Sequence, residues 1–122
     1  MSFCKKILVV SRQAPYGTGV AREALDAALA AAIYEQDLSL LFMDDGVFQL
    51  LNGQDSSDIS QKRISANLQA LPLYGVEKIF VHSESLEMRK ITTDELILED
   101  LQLISSAEIG QLMSEQDQIL SF

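Results

Sequence analysis

The chain has 122 residues, 48% hydrophobic and 22% charged, a composition that allows one packed core and excludes an unfolded chain. Nine lysines plus arginines stand against 18 aspartates plus glutamates; the formal net charge of −9 disfavours a general electrostatic grip on nucleic acid or on an anionic membrane surface. The single cysteine, Cys4, excludes an intrachain disulfide and a cysteine-based metal cluster, and one histidine, His82, adds little to the odds of a metal site.

Every apolar stretch falls short of the roughly 18 residues that a spanning helix needs. The first residues, Met-Ser-Phe-Cys-Lys-Lys, run straight into an apolar stretch with no small-residue cleavage site, so the expectation is no signal peptide and a cytoplasmic home. A single domain over 1–122 is expected, without repeats or linkers.

Residues 5–11, Lys-Lys-Ile-Leu-Val-Val-Ser, read as a central parallel strand buried on both faces. The next segment is a loop punctuated by Pro15, Gly17 and Gly19, with Thr18 as a helix cap. An alanine-rich helix is expected over roughly 19–34, with Val20, Ala24, Ala27 or Ala28, and Ala31 near one face and Leu25, Leu29 and Ile33 widening it. Asp37–Met43 reads as a second buried strand. Asp44-Asp45-Gly46 follows it, and Asp45 is expected to cap a short amphipathic piece that begins at Gly46. After a polar loop at 52–58, a helix is expected from Ile59 to about Leu73, with Ile64, Leu68 and Leu71 inward and an end near Pro72. Glu77–His82 reads as a third strand and Ser83–Arg89 as a short helix or turn. The stretch 94–104 fits strand or helix; a loop followed by a strand near 101–104 is preferred. Ser105 and Glu108 have the spacing of a capping box, which predicts a helix over 106–115. Residues 118–122 read as a terminal apolar strand.

Alternating strand and helix argue for an α/β domain with a largely parallel sheet and helices on both faces. The functional rim of such a sheet lies at the carboxyl ends of its strands, here the loops at 12–18, 44–46 and 82–86.

Each candidate site has a plainer reading beside it. Gly17-Thr18-Gly19 sits where a dinucleotide fingerprint sits, but Arg22 occupies the third glycine position, which favours a turn with a helix cap. Asp44 and Asp45 can act as an acid–base or Mg²⁺ pair, or simply as helix-start residues. A phospho-receiver reading fails, because Ser11-Arg12 and His82-Ser83 stand where its acidic residues belong. His82 ends the third strand and can serve as base or ligand, but Ser83 and Ser85 beside it lack a nucleophile elbow. Cys4 precedes the first strand, away from the rim, with Lys5 and Lys6 near enough to lower a thiol pKa. Tyr16, Phe48, Leu50, Leu51 and Tyr74 are core or, if several stay exposed together, a partner surface.

Four segments carry a family resemblance: Ala14-Pro15-Tyr16-Gly17-Thr18, Ala21-Arg22-Glu23-Ala24-Leu25-Asp26-Ala27, Asp45-Gly46-Val47-Phe48-Gln49-Leu50-Leu51 and Ile119-Leu120-Ser121-Phe122. Together they resemble the TusC/DsrF family across almost the whole chain; the Asp45–Leu51 block is the most specific part. The resemblance implies a three-layer α/β/α fold with a five-stranded, mainly parallel sheet of the DsrE/F-like kind. It implies a non-catalytic subunit, without cofactor or metal, of a sulfur-relay assembly serving 2-thiolation of the tRNA wobble uridine. The implied partners are TusB-like and TusD-like subunits in a dimer of heterotrimers, and a TusE-like acceptor reached through the complex. Contact with nucleic acid or membrane is not expected of this subunit, and alone it can self-associate. The alternative pathway is intracellular sulfur oxidation beside DsrE-like and DsrH-like subunits. In the family the sulfur-carrying cysteine belongs to the sister subunit, at the end of the third strand; here that neighbourhood is Val81-His82-Ser83. Imidazole and hydroxyl cannot replace a thiolate, so a carrier role is not expected of this chain. Pro15, Tyr16, Gly17, Thr18, Asp45, Gly46, Val47 and Phe48 remain as family-motif rim and interface candidates. Two competing readings are a small enzyme using His82 with Asp44 or Asp45, and a ligand-binding module built on the Pro15–Gly19 loop.

Overall fold

The computed structural model describes residues 5–13, 20–33, 37–51, 68–74, 76, 78–97 and 101–122. Five strands form one sheet: β1 (Lys6–Ser11), β2 (Asp37–Phe42), β3 (Lys78–His82), β4 (Gln102–Ile104) and β5 (Gln118–Ser121). Their order across the sheet is β4-β3-β2-β1-β5, and every pairing is parallel. The central strands are the most apolar ones. Val9 and Leu40 are wholly buried, as are Leu8 and Leu41 on the opposite face, which is why β1 and β2 read as continuous apolar runs rather than alternating ones.

The two faces are covered unequally. On one, Val9, Leu38, Leu40, Phe42, Ile79 and Val81 of the sheet pack with Ala24, Leu25 and Ala28 of helix α1 (Val20–Ile33). Small side chains at Ala24 and Ala28 let α1 approach the sheet closely, and Leu68, Leu71, Leu86 and Ile91 extend the same cluster. On the other face Leu8, Val10, Leu41 and Ile104 meet Ile109 of a helix at Ser106–Ser114. That helix, α3, must carry the chain from β4 at one edge back to β5 at the other. Its nine residues cover the middle of the sheet, and Ile119 on β5 stays 42% exposed.

Helix α3 starts as its sequence predicts. Ser105 Oγ accepts from the Glu108 N–H, and Glu108 Oε1 accepts from the Ser105 N–H. A second capping box, Thr92 with Glu95, opens a single 3-10 turn at Thr93–Glu95; the expected loop there is therefore partly ordered. Leu96 pairs with Leu51 in an isolated antiparallel bridge. Of the helix expected over Ile59–Leu73, the described part is a helical turn at 68–70 and a 3-10 turn at Leu71–Tyr74, with Leu68 and Leu71 buried as expected; Ile64 lies outside the described residues.

A short helix α2 (Ser83–Met88) follows β3 without a break. It ends in a Schellman motif: the Ile91 N–H donates to the Leu86 carbonyl and the Lys90 N–H to the Glu87 carbonyl, with buried Leu86 and Ile91 supplying its hydrophobic contact. Lys90 occupies the left-handed position of that motif, at φ 55°.

One expectation is corrected. The segment after β2 is a 3-10 helix from Asp44 to Leu50, and Asp45 does not cap it. The cap position belongs to Met43, which offers no side-chain bond, and both aspartates lie in the first turn. The reason is the backbone of Asp44: at φ 51° it turns the chain immediately out of β2.

Candidate functional site

Three strand ends meet at the carboxyl rim. At the end of β1, Ser11 is 1% exposed and organises its neighbours. Its carbonyl accepts the Met43 N–H, and its hydroxyl accepts from Gln49 Nε2 at 2.6 Å. Gln49 is fully buried and also donates to the Gln13 carbonyl at 2.9 Å, so the 3-10 segment is bonded to the start of the loop after β1. Contact is closest at Gly46, where a Cβ would lie 2.0 Å from the Ser11 carbonyl oxygen. Only glycine fits there.

At the end of β2 the two aspartates point to different partners. Asp44 Oδ2 accepts from Arg12 Nε at 3.0 Å, and Asp45 Oδ1 accepts from Arg89 Nε at 3.1 Å and Nη2 at 2.9 Å. Arg89 also donates to the Ser85 carbonyl and lies 5.9 Å from the centroid of the Phe48 ring. The Arg12–Asp44 pair is solvated on both sides and the Arg89–Asp45 pair on the aspartate side only; exposed pairs of this kind steer side chains more than they stabilise a fold.

At the end of β3, His82 is half-buried between α2 and α3. Its Nδ1 lies 2.6 Å from Ser85 Oγ, and its Nε2 lies 2.9 Å from Ser106 Oγ. Ser85, 2% exposed, also accepts the Asp44 N–H at 2.9 Å. Beside it, Ser83 Oγ donates to the Ile104 carbonyl, and Glu84 Oε1 accepts the Ser106 N–H at 3.4 Å.

The structure thus brings Asp44 and His82 to one rim but joins them through Ser85 and the Asp44 backbone, not through the carboxylate. Both carboxylates are engaged by arginines and the imidazole by two serines; the acid–base pair weighed for a small enzyme is not assembled. Of the family-motif candidates, Gly46 and Val47 are buried in the subunit's own core, Phe48 is half-buried and Asp45 is exposed. Leu50 is buried and Leu51 half-buried, so the described part of this block presents no large exposed apolar patch. Pro15, Tyr16, Gly17 and Thr18, with the whole Pro15–Gly19 loop, lie outside the described residues, as does Cys4; the side chain of Tyr74 does too. Among the described residues no group of three or more His, Cys, Asp or Glu side chains is placed to hold a metal ion, and no helix is long and apolar enough to cross a membrane.

Sequence reasoning missed Ser106 and Gln49, and it weighed Ser85 only as a nucleophile, not as the hydrogen-bond partner of His82. Gln49 left one signal, a polar residue inside the apolar run Val47–Leu51. Ser85 left the three-residue spacing from His82 that crosses a helix start. Ser106 left none, since β4 had to be placed beside β3 before the start of α3 could reach His82.

A five-stranded parallel sheet in this order, with a 3-10 segment bonded to the end of β1 and a histidine closing β3, defines a small α/β domain. The chain belongs to the DsrE/DsrF-like family, whose model matches residues 5–122. It is 40% identical to the intracellular sulfur oxidation protein DsrF of Allochromatium vinosum, across 97% of this chain and 96% of that one. It is 38% identical to a TusC homolog of Pseudomonas aeruginosa, across 96% and 98%. In structure it is similar to the ychN protein from E. coli, with a TM-score of 0.83 and 28% identity, covering 97% of this chain and 99% of that one. The DsrE/F-like fold and the TusC/DsrF resemblance read from the sequence are both borne out.

Proposed function

We propose that this chain is a non-carrier subunit of a cytoplasmic sulfur-relay assembly: it positions a cysteine-bearing sister and holds no transferable sulfur itself. The observation that carries the reading is the end of β3. The family resemblance puts the sister's carrier cysteine there, and this chain has an imidazole bonded to two serine hydroxyls. A persulfide requires a thiolate sulfur, and neither group supplies one. The single cysteine, Cys4, lies in sequence just ahead of β1, whose start is at the opposite end of the sheet from the rim.

The expected partners are TusB-like and TusD-like chains, arranged as a dimer of heterotrimers that delivers to a TusE-like acceptor. The destination is 2-thiolation of the tRNA wobble uridine. The relative named for intracellular sulfur oxidation favours a second destination, beside DsrE-like and DsrH-like chains. Co-expression with the sister chains of the same organism, followed by a sulfur donor and intact-mass analysis, tests the first claim. The expected result is a complex in which a sister chain gains one sulfur atom and this chain gains none. Stoichiometric sulfur on this chain, passed onward to an acceptor, overturns it. Depleting the chain and measuring thiouridine in bulk tRNA separates the two destinations: a loss supports thiolation, and unchanged thiouridine supports sulfur oxidation.

A further inference from the structure

Ser85 Oγ is the joint between three elements, and its proton can be placed by counting donors. A serine hydroxyl carries one proton and two acceptor lone pairs. The Asp44 N–H is an obligate donor and occupies one lone pair at 2.9 Å. His82 Nδ1, at 2.6 Å, is the hydroxyl's other partner among the described residues. If Nδ1 carried a proton, two donors would converge on the oxygen and the hydroxyl proton would be left without an acceptor in a site 2% exposed. The arrangement that satisfies every group has the Ser85 hydroxyl donating to a bare Nδ1. The imidazole proton then sits on Nε2 and is donated to Ser106 Oγ, at the first residue of α3.

We propose that His82 is a neutral latch, held as the Nε2–H tautomer by Ser85 and the Asp44 amide, that ties the rim turn after β2 and the β3–α2 junction to α3 and loosens when Nδ1 is protonated. Imidazole is the side chain that changes charge between about pH 5 and 8. A proton on Nδ1 removes the acceptor that Ser85 needs. The hydroxyl must then turn, and the Asp44 amide loses the geometry that holds it.

The charged groups around the ring do not replace that acceptor. From the 3-10 segment comes Asp44, whose carboxylate is engaged by Arg12. From α2 comes Glu84, whose carboxylate accepts the Ser106 N–H, and from α3 comes Glu108, whose carboxylate accepts the Ser105 N–H. Arg89, past α2, is turned onto Asp45 and the Ser85 carbonyl. The latch is independent of the sulfur-relay reading, and its test uses the full chain alone.

Long-range proton–nitrogen correlation spectra at about pH 7.5 read the tautomer directly. The expected pattern is an unprotonated Nδ1 and a protonated Nε2; the reverse pattern overturns the proposal. Amide hydrogen exchange at Asp44, corrected for intrinsic rates, is then compared at about pH 7.5 and 5.5. Wild-type protection should fall about tenfold at the lower pH, the scale of one lost buried hydrogen bond. Ser85→Ala should show the low protection at both values. Ser106→Ala should keep the Nδ1 signature and the protection of Asp44 at neutral pH while loosening the start of α3. Asp44 protection that ignores pH in the wild-type chain overturns the proposal, whether or not Ser85→Ala folds.

Discussion

The ends of β1 and β3 use nearly the same device for different ends. Each places a buried serine, Ser11 or Ser85, 2.6 Å from a side-chain nitrogen. At β1 the nitrogen is the amide of Gln49, a permanent donor that is wholly buried. At β3 it is an imidazole nitrogen of His82, half-buried, whose role as donor or acceptor depends on the tautomer. The permanent bond sits where packing tolerance is smallest, under Gly46. The reversible one sits where the ring reaches solvent and two helices begin. A rim built this way has a fixed corner and an adjustable one, and substitutions at the two should differ in size and in sensitivity to pH.

The largest effect is expected at the fixed corner. Gly46→Ala places a Cβ 2.0 Å from the Ser11 carbonyl oxygen, with the Ser11 carbonyl carbon at 2.7 Å. Backbone atoms cannot swing aside as a side-chain tip does, so β1 and the 3-10 segment must part. The expected cost is at least about 3 kcal/mol, at the upper end of overpacking effects. Urea unfolding measures it; a cost under about 1 kcal/mol would show that the contact is loose and the corner not fixed.

Gln49→Leu is next. It keeps the volume and removes both donors, leaving Ser11 Oγ and the Gln13 carbonyl to find others. Gln49 Oε1 is itself buried without a partner among the described residues, so its removal returns part of the loss. The net cost is expected near 2 kcal/mol and flat between about pH 5.5 and 7.5, because an amide does not titrate there. A pH-dependent cost would break the contrast with His82.

His82→Ala should cost about 1 kcal/mol at neutral pH, the worth of partly solvated hydrogen bonds, and the proposed latch makes that cost smaller at about pH 5.5. Equal costs at both values would mean that protonation leaves the bonds to Ser85 and Ser106 intact.

Much of this was legible in the chain. Buried strands announce themselves as unbroken apolar runs such as Ile7–Val10, and the Ser105–Glu108 box starts α3 where its spacing says. The sheet order was not legible, because periodicity says which face a residue takes but not which strand lies beside it. The rim was misread at Asp45, since acidic residues near a helix start fit several registers and a left-handed Asp44 leaves no mark in the sequence. The end of α2 was hidden for a related reason: the glycine that usually announces a Schellman motif is replaced there by Lys90.

The smallest effects separate strain that is held by bonds from strain that is merely tolerated. Asp44 and Lys90 both adopt left-handed backbone, at φ 51° and 55°. Lys90 is exposed, and its backbone, not its side chain, makes the helix-ending bond. Lys90→Gly relieves the Cβ clash and leaves that bond in place, so a gain of about 0.5–1 kcal/mol is expected. Asp44→Gly relieves less, because aspartate tolerates this region better than lysine, and it also deletes the carboxylate that holds Arg12. An exposed pair of that kind is worth about 0.2–1 kcal/mol, enough to cancel the relief. Unfolding curves should therefore show Lys90→Gly stabilised and Asp44→Gly close to wild type. An equal gain at both positions would mean that the Arg12 pair contributes nothing to the turn after β2, which the backbone bonds and the Ser85 bond to the Asp44 amide then hold without it.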